Sequence, residues 1–514
     1  MTSAADPTEP KGAHATARTA RWIAIAAFLI YASSGGGRIV GSDEVTMLQL
    51  SRAMLRGHID VPAGATMVGR GGKQYTKNAA GQAVLALPLV AGAEAAAAAV
   101  PERRELAVRF VVSFFNAIVT GLLLGWFYRA ARSLAVGAGA ALAATVLLGF
   151  TTPLWVYAKS FMAEPLQGLG LLLALTGNLH TDRGPQRLAG AIGVLLATLV
   201  KPSMAPLAIL CAVCALPLSQ RPWRAMVPAL LGFLLAVIGH LVYNAARFGN
   251  PFETGYGAQA TPAAYTTPLL VGLYGLLLST GKGVLWFAPA LWLAPTGGRL
   301  MRAAGGTALA AVGAILATSV FALGLYGTFE HWAGDGSFGP RYLVPLLPLA
   351  FLPVGFALDR ASRWGRRWAF VLGVLGLVVQ LGGVSIHFGA QMREAGDYPY
   401  RLPLGDPRFM SDSHFNPSYS PITGHWRLLL RNLGEHLRGD WPRISGAGDV
   451  DPRVGVSAED QRRLLHALDY WWLYARYAGV PGAPLVAALI LVLGATGMAT
   501  ARLDAARRAE PQAP

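Results

Sequence analysis

Charge is what this sequence has least of. Only 14% of its 514 residues are Asp, Glu, Lys or Arg, where a soluble domain carries about 25%. Hydrophobic residues make up 54% of the chain, and lipid is the solvent that fits such a balance. Cysteine is nearly absent. Cys211 and Cys214 are the two present, which excludes a disulfide framework beyond that one pair. Both lie in the apolar run 205–218, where an i,i+3 pair reads as packing, since thiols in hydrocarbon are inert. No long internal repeat is found. No complete set of metal-ligating residues is found either, so no cofactor is assigned. A divalent metal at a single carboxylate stays open.

Long hydrophobic runs, in contrast, are abundant. A membrane-spanning helix needs roughly 20 mainly apolar residues. Candidate runs occur near 22–40, 107–127, 134–151, 166–178, 188–200, 203–218, 226–243, 283–297, 305–327, 342–358, 368–388 and 481–500. The expected fold is therefore an all-α polytopic membrane bundle of about 12 transmembrane helices. A thirteenth run, 83–100, contains Glu94 and many alanines, and is read as a helix on or dipping into the outer interface.

The basic residues orient this layout. With the N-terminus inside, the inner loops hold Arg129 and Arg132, Arg183 and Arg187, Arg221 and Arg224, Arg299 and Arg302, and Arg360 to Arg367. The C-terminal tail adds Arg502, Arg507 and Arg508. Most short outer loops have one basic residue or none, as the positive-inside rule requires. The formal charge of +16 thus reports topology, and a nucleic-acid partner is excluded. The abundance of Ala, Gly and Arg points to a GC-rich bacterial genome. The expected location is the bacterial cytoplasmic (inner) membrane, with both termini cytoplasmic and the active site extracytoplasmic. The first run continues into a charged motif and is read as retained, not as a cleaved signal.

This divides the chain into a disordered cytoplasmic tail (1–21), a transmembrane module with a large outer loop at 41–106 (22–388), an extracytoplasmic region (389–480), and a last span with its tail (481–514). The outer region carries apolar stripes at helical spacing, around Trp426 and from Leu464 to Trp472. They read as interfacial amphipathic helices with an aromatic belt, or as contacts to a lipid-linked substrate.

Charged residues at the outer edge come from separate loops: Asp43, Glu44, Lys77, Glu164, Lys201, Glu253, Lys282, Asp335 and Arg341. Charge near hydrocarbon is costly and marks function. Ser42-Asp43-Glu44 opens a helix, so the acids fit either a capped N-terminus or a general base acting on a hydroxyl. Lys77, Lys201 and Lys282 fit headgroup anchors or a basic funnel for a phosphate. Glu164 before Pro165 fits a helix cap, a second acid, a metal ligand or an acceptor from sugar hydroxyls. The loop His331-Trp332-Ala333-Gly334-Asp335, followed by Gly339-Pro340-Arg341, places an aromatic and an acid beside a bidentate guanidinium.

Ser42-Asp43-Glu44, Tyr75-Thr76-Lys77 and Glu164-Pro165, in that order, resemble the GT-C superfamily of membrane glycosyltransferases. The similarity is to its family 39-like branch, which holds protein O-mannosyltransferases and the lipid A aminoarabinose transferase. The stretch from Arg247 through Glu253 to Tyr256, and Ser337-Phe338-Gly339-Pro340-Arg341-Tyr342, resemble stretches of uncharacterised bacterial members. The resemblance covers most of 20–390. It implies inverting transfer of a sugar from a polyprenyl-phosphate donor to an extracytoplasmic glycan, lipid or protein acceptor. By it, Asp43 is the base, with Glu44 beside it. Lys77 matches the lysine of the family's carrier-phosphate motif. From their residue types and positions, Arg341, Lys201 and Lys282 are expected to join it at the donor phosphate, and Glu164, Glu253, Tyr256, Trp332 and Asp335 to meet sugar or acceptor. The family's Lys-Pro-Pro is Lys77-Asn78-Ala79 here. A transporter or flippase of lipid-linked substrates, or a catalytically silent envelope-assembly protein, are the alternative readings.

Overall fold

The computed structural model describes residues 9–64, 66–179, 184–216, 222–334, 336–397, 414–444 and 458–510. The fold is all-helical and polytopic, apart from a hairpin pairing Thr66–Val68 with Gln74–Thr76. Among the described residues, six helices are long and apolar enough to cross a membrane. They are Pro101–Ser133, Met226–Phe248, Gly306–Thr328, Arg341–Asp359, Arg363–Ser385 and Gly482–Arg508. Shorter apolar helices follow the remaining runs: Ala138–Phe150, Gly184–Val200, Pro202–Ala215 and, unforeseen from the sequence, Leu269–Leu278. Met226–Phe248 exposes Leu231, Leu234, Leu235, Ile238 and Val242, and Gly482–Arg508 exposes Val486, Ile490, Leu491 and Met498. Apolar faces of this extent mark contact with membrane or with another protein, and on helices long enough to cross a bilayer they fit lipid.

Three expectations are modified. The first helix begins at Glu9 and runs to Ser34, so the polar stretch 9–21, expected to be disordered, extends that helix. Its run stops at Gly35-Gly36-Gly37, where Gly37 takes φ +65°. Only glycine adopts that region without strain. The run 283–297 is broken rather than continuous. Val284–Phe287, a 3-10 turn over Pro289–Leu293 and Ala294–Ala304 replace one span, because Pro289 and Pro295 each lack the backbone donor a straight helix needs.

Lipid offers helices no hydrophobic gain on pairing, so small residues allow the backbones to approach. A Cβ on Gly121 or Gly125 would lie 2.6 or 2.7 Å from the carbonyls of Ala24 or Ala20 on the first helix. Gly193 brings Gly184–Val200 equally close to Glu164–Leu179 at Ala174.

The contacts also separate the two ends of the bundle. Thr16, Tyr128 and Arg132 converge on Glu510, and the Gly137 amide donates to Asp359. Asp43, Glu164 and Arg341 meet at the opposite end. These contacts thus join segments that the arginine pattern assigns to the same side: the N-terminal helix, 128–137, 359 and 510 on one, and 43, 164 and 341 on the other.

Candidate active site

The helix Ser42–Leu55 starts immediately after the glycine-rich exit of the first helix. Its cap residue is Gly41 rather than Ser42, and Glu44 supplies the capping. Glu44 Oε2 accepts from the Gly41 amide at 2.8 Å, and its Oε1 accepts from the Phe161 amide at 2.5 Å. At 2% exposure, with both oxygens on backbone donors, Glu44 splices this helix to the loop before Glu164. It does not face the cluster that its neighbour joins. Burial pushes its carboxyl up, against those amides, which pull it down.

Asp43 points the other way. Arg341 Nη2 donates to Asp43 Oδ2 at 3.1 Å, and Arg341 Nε donates to Glu164 Oε1 at 2.6 Å. One guanidinium thus bridges acids 121 positions apart in the chain. Burial raises the Asp43 carboxyl, but Arg341 and then Lys77 outweigh it and hold it below its ordinary value. Glu164 opens the helix Glu164–Leu179 and is 1% exposed. Its Oε2 finds no hydrogen-bond partner among the described residues. A buried carboxylate oxygen left unpaired is costly, and here it adjoins a cation cluster.

Two lysines complete the group. Lys201 lies between two helices, its Nζ 4.6 Å from the centroid of the Tyr342 ring. That ring stacks on Tyr326 at 4.7 Å. Burial pushes the Lys201 ammonium down to about 8, and Arg341 pushes it the same way. Lys77 Nζ sits 5.5 Å over the Tyr256 ring. Burial, then Asp43, raises the Tyr256 hydroxyl to about 12, so it is a donor at neutral pH.

The departure at Asn78 has a structural role. Its amide donates to Thr46 Oγ1 at 3.1 Å and to the Asp43 carbonyl at 3.4 Å, tying the lysine loop to the start of the Asp43 helix. Arg247, 2% exposed, donates to the Thr76 carbonyl and to Asn244 and holds the hairpin from the other side. Neither role has a sequence signature.

Other expected site residues lie elsewhere. Lys282 is buried, with Nζ donating to the Ser337 carbonyl at 2.7 Å and to its hydroxyl at 3.2 Å. It braces the loop that carries Arg341 instead of joining the cluster, because burial leaves its charge to be satisfied locally. Glu253 accepts from the Gly255 amide at 2.7 Å and closes its own turn. Trp332 packs on His414 and Phe415, with Gly275 making room for its ring. Asp335 lies outside the described residues. Tyr157, unforeseen, is buried beside Glu164 and Arg341. Its hydroxyl donates to the Phe338 carbonyl at 3.3 Å.

A second buried ion group sits behind the first. Arg38 Nη2 meets Asp469 Oδ1 at 2.5 Å, and Lys159 Nζ meets Asp469 Oδ2 at 2.9 Å. Lys159 also donates to the carbonyls of Val384 and Asp469. These residues border a cavity of about 30 Å³ that reaches Glu44 and Tyr157, room for about one water. Among the described residues, no three His, Cys, Asp or Glu side chains converge as a metal cage.

These features define an all-helical membrane protein whose charged loops converge at one end of the bundle. The sequence matches no protein-family model and no curated protein. Among solved structures it is similar to the crystal structure of ArnT from Cupriavidus metallidurans bound to undecaprenyl phosphate. The identity is 16% and the TM-score 0.49, over 87% of this chain and 83% of that one. A likeness at that distance transfers neither residues nor activity, and the functional reading rests on this chain's own side chains.

Proposed function

We propose that this protein is an inverting glycosyltransferase that moves a sugar from a polyprenyl phosphate to an acceptor hydroxyl on the extracytoplasmic side. The observation that carries the reading is the convergence of Asp43, Glu164, Arg341, Lys201 and Lys77, from separate loops, at one end of a lipid-embedded bundle. Two acids and three cations at the end of such a bundle suit a substrate that is anionic, anchored in the bilayer and rich in hydroxyls. The motif resemblance supports the donor class.

The chemistry is a single displacement. Asp43 takes the proton of the acceptor hydroxyl as its oxygen attacks the anomeric carbon. The bond from that carbon to the phosphate oxygen breaks, and the carrier leaves as polyprenyl phosphate. Charge developing on the phosphate is met by Arg341, Lys201 and Lys77, cations already in place before the reaction. A phosphate leaving group of this kind needs no general acid. Glu164 fixes Arg341 through one oxygen and offers the other, unpaired one to a sugar hydroxyl. Tyr256, beside Lys77, offers its hydroxyl as a donor to the substrate, while the Tyr342 ring, stacked on Tyr326, backs Lys201.

The test is sugar release from a panel of polyprenyl-phosphate sugars by the protein in nanodiscs, against its Asp43→Asn variant. One donor should turn over, and the variant should lose about 10²–10⁴-fold in rate. Equal release by both would remove Asp43 as the base.

A further inference from the structure

Arg341 has one guanidinium and, if the transferase reading holds, three anions to serve: Asp43, Glu164 and the carrier phosphate. The two carboxylates hold it unequally. The Glu164 contact is short, 2.6 Å, and the Glu164 side chain is 2% exposed. The Asp43 contact is longer, 3.1 Å, and the Asp43 side chain is 24% exposed. Glu164 is thus the anchor and Asp43 the loosely held partner. A carboxylate engaged by a guanidinium is a poor proton acceptor, because proton uptake would have to break the pair.

We propose that the carrier phosphate and Asp43 compete for Nη2 of Arg341, so that the base is held by the guanidinium and released only when a donor arrives. The donor's phosphodiester presents the same bidentate geometry to the guanidinium as a carboxylate and carries the same single charge, and the carrier released as a monoester carries more. Arg341 stays pinned at Nε by Glu164 and need only exchange the outer partner. Asp43, freed and now beside an anion, becomes a stronger base at the moment an acceptor can be used. Binding order follows: donor first, acceptor second. The inference deepens the glycosyltransferase reading and rests on it.

The experiment is titration of undecaprenyl phosphate into nanodisc-embedded protein, read by intrinsic fluorescence. Four forms are compared: wild type, Asp43→Asn, Arg341→Lys and the double variant. Competition requires Asp43→Asn to bind the carrier about three- to tenfold more tightly than wild type. It also requires that gain to vanish on the Arg341→Lys background, whose ammonium keeps the charge but lacks the fork that spans both acids. An equal gain on both backgrounds would mean plain charge repulsion between Asp43 and the phosphate, and overturns the proposal. So does unchanged affinity in Asp43→Asn. If Arg341→Lys alone binds too weakly to titrate, a carrier-bound structure of the wild type decides by whether the Arg341–Asp43 contact is open or intact. Absence of saturable binding by the wild type itself would sink the transferase reading instead, a result distinct from either of these.

Discussion

At the scale of single residues, neighbours in sequence do opposite things. Asp43 and Glu44 are indistinguishable as a dipeptide, yet one faces Arg341 and the other is consumed by the amides of Gly41 and Phe161. The helical rotation of about 100° per residue separates them. Lys201 carries the clearest pH signature. Its ammonium, pushed down to about 8 by burial and by Arg341, is charged below that pH and neutral above it. Affinity of the free enzyme for undecaprenyl phosphate should therefore fall as pH rises through about 8. Lys201→Arg, which stays charged throughout this range, should flatten that fall in the same titration. An identical pH profile for the two proteins would show that Lys201 does not meet the phosphate. Asp43, Lys77, Glu164 and Arg341 were legible in the sequence because charge at a membrane edge is conspicuous. Lys282 was equally conspicuous but serves as a brace, since a lysine's partners across 55 positions leave no local pattern. Tyr157 escapes sequence reading for the same reason, and Arg247, though part of a resembling stretch, shows its bracing role only through its partner at Thr76.

At the scale of elements, apolar runs gave the helices reliably, and their interruptions less so. The break at Pro289 and the early end at Gly35 follow from residues visible in the sequence, but only tertiary packing decides whether a proline kinks or divides a span. The apolar stripes of the outer region 389–480 fit interfacial amphipathic helices or contacts to a lipid-linked substrate, and its charged residues show no local pattern. Its described part is also joined to the bundle: Asp469 engages Arg38 at the exit of the first helix and Lys159 in the loop before Glu164. Removing one partner of a buried ion group leaves uncompensated charge, at a cost of about 3–5 kcal/mol. Asp469→Asn should therefore lower the thermal midpoint of the purified protein markedly. Asp440→Asn, at an exposed site, should leave it near wild type. Equal midpoints for the two variants would show that the buried triad does not hold the region in place.

At the scale of the whole molecule, the arginine pattern and the contacts agree on two groups of loops, while the direction across the membrane rests on the arginines alone. Cysteines introduced at Glu253 and Arg508, on a background with Cys211 and Cys214 replaced by alanine, test it. A membrane-impermeant maleimide added to intact cells should label the first and spare the second until the cells are opened. The reverse pattern would invert the topology and place the site in the cytoplasm.

The bond between residue 469 and residues 38 and 159 also has a meaning in time. Synthesis proceeds from the N-terminus, so Arg38 and Lys159 enter the membrane long before their counter-ion exists. Until the ribosome has passed Asp469, a growing chain holds two cations at a place built to bury them, and the loop bearing Lys159 lacks its tether. The helix that opens with Glu164 follows directly from that loop. A chain cut short before residue 469 therefore lacks the carboxylate that pairs Arg38 and Lys159 and that ties the loop before Glu164 to the exit of the first helix.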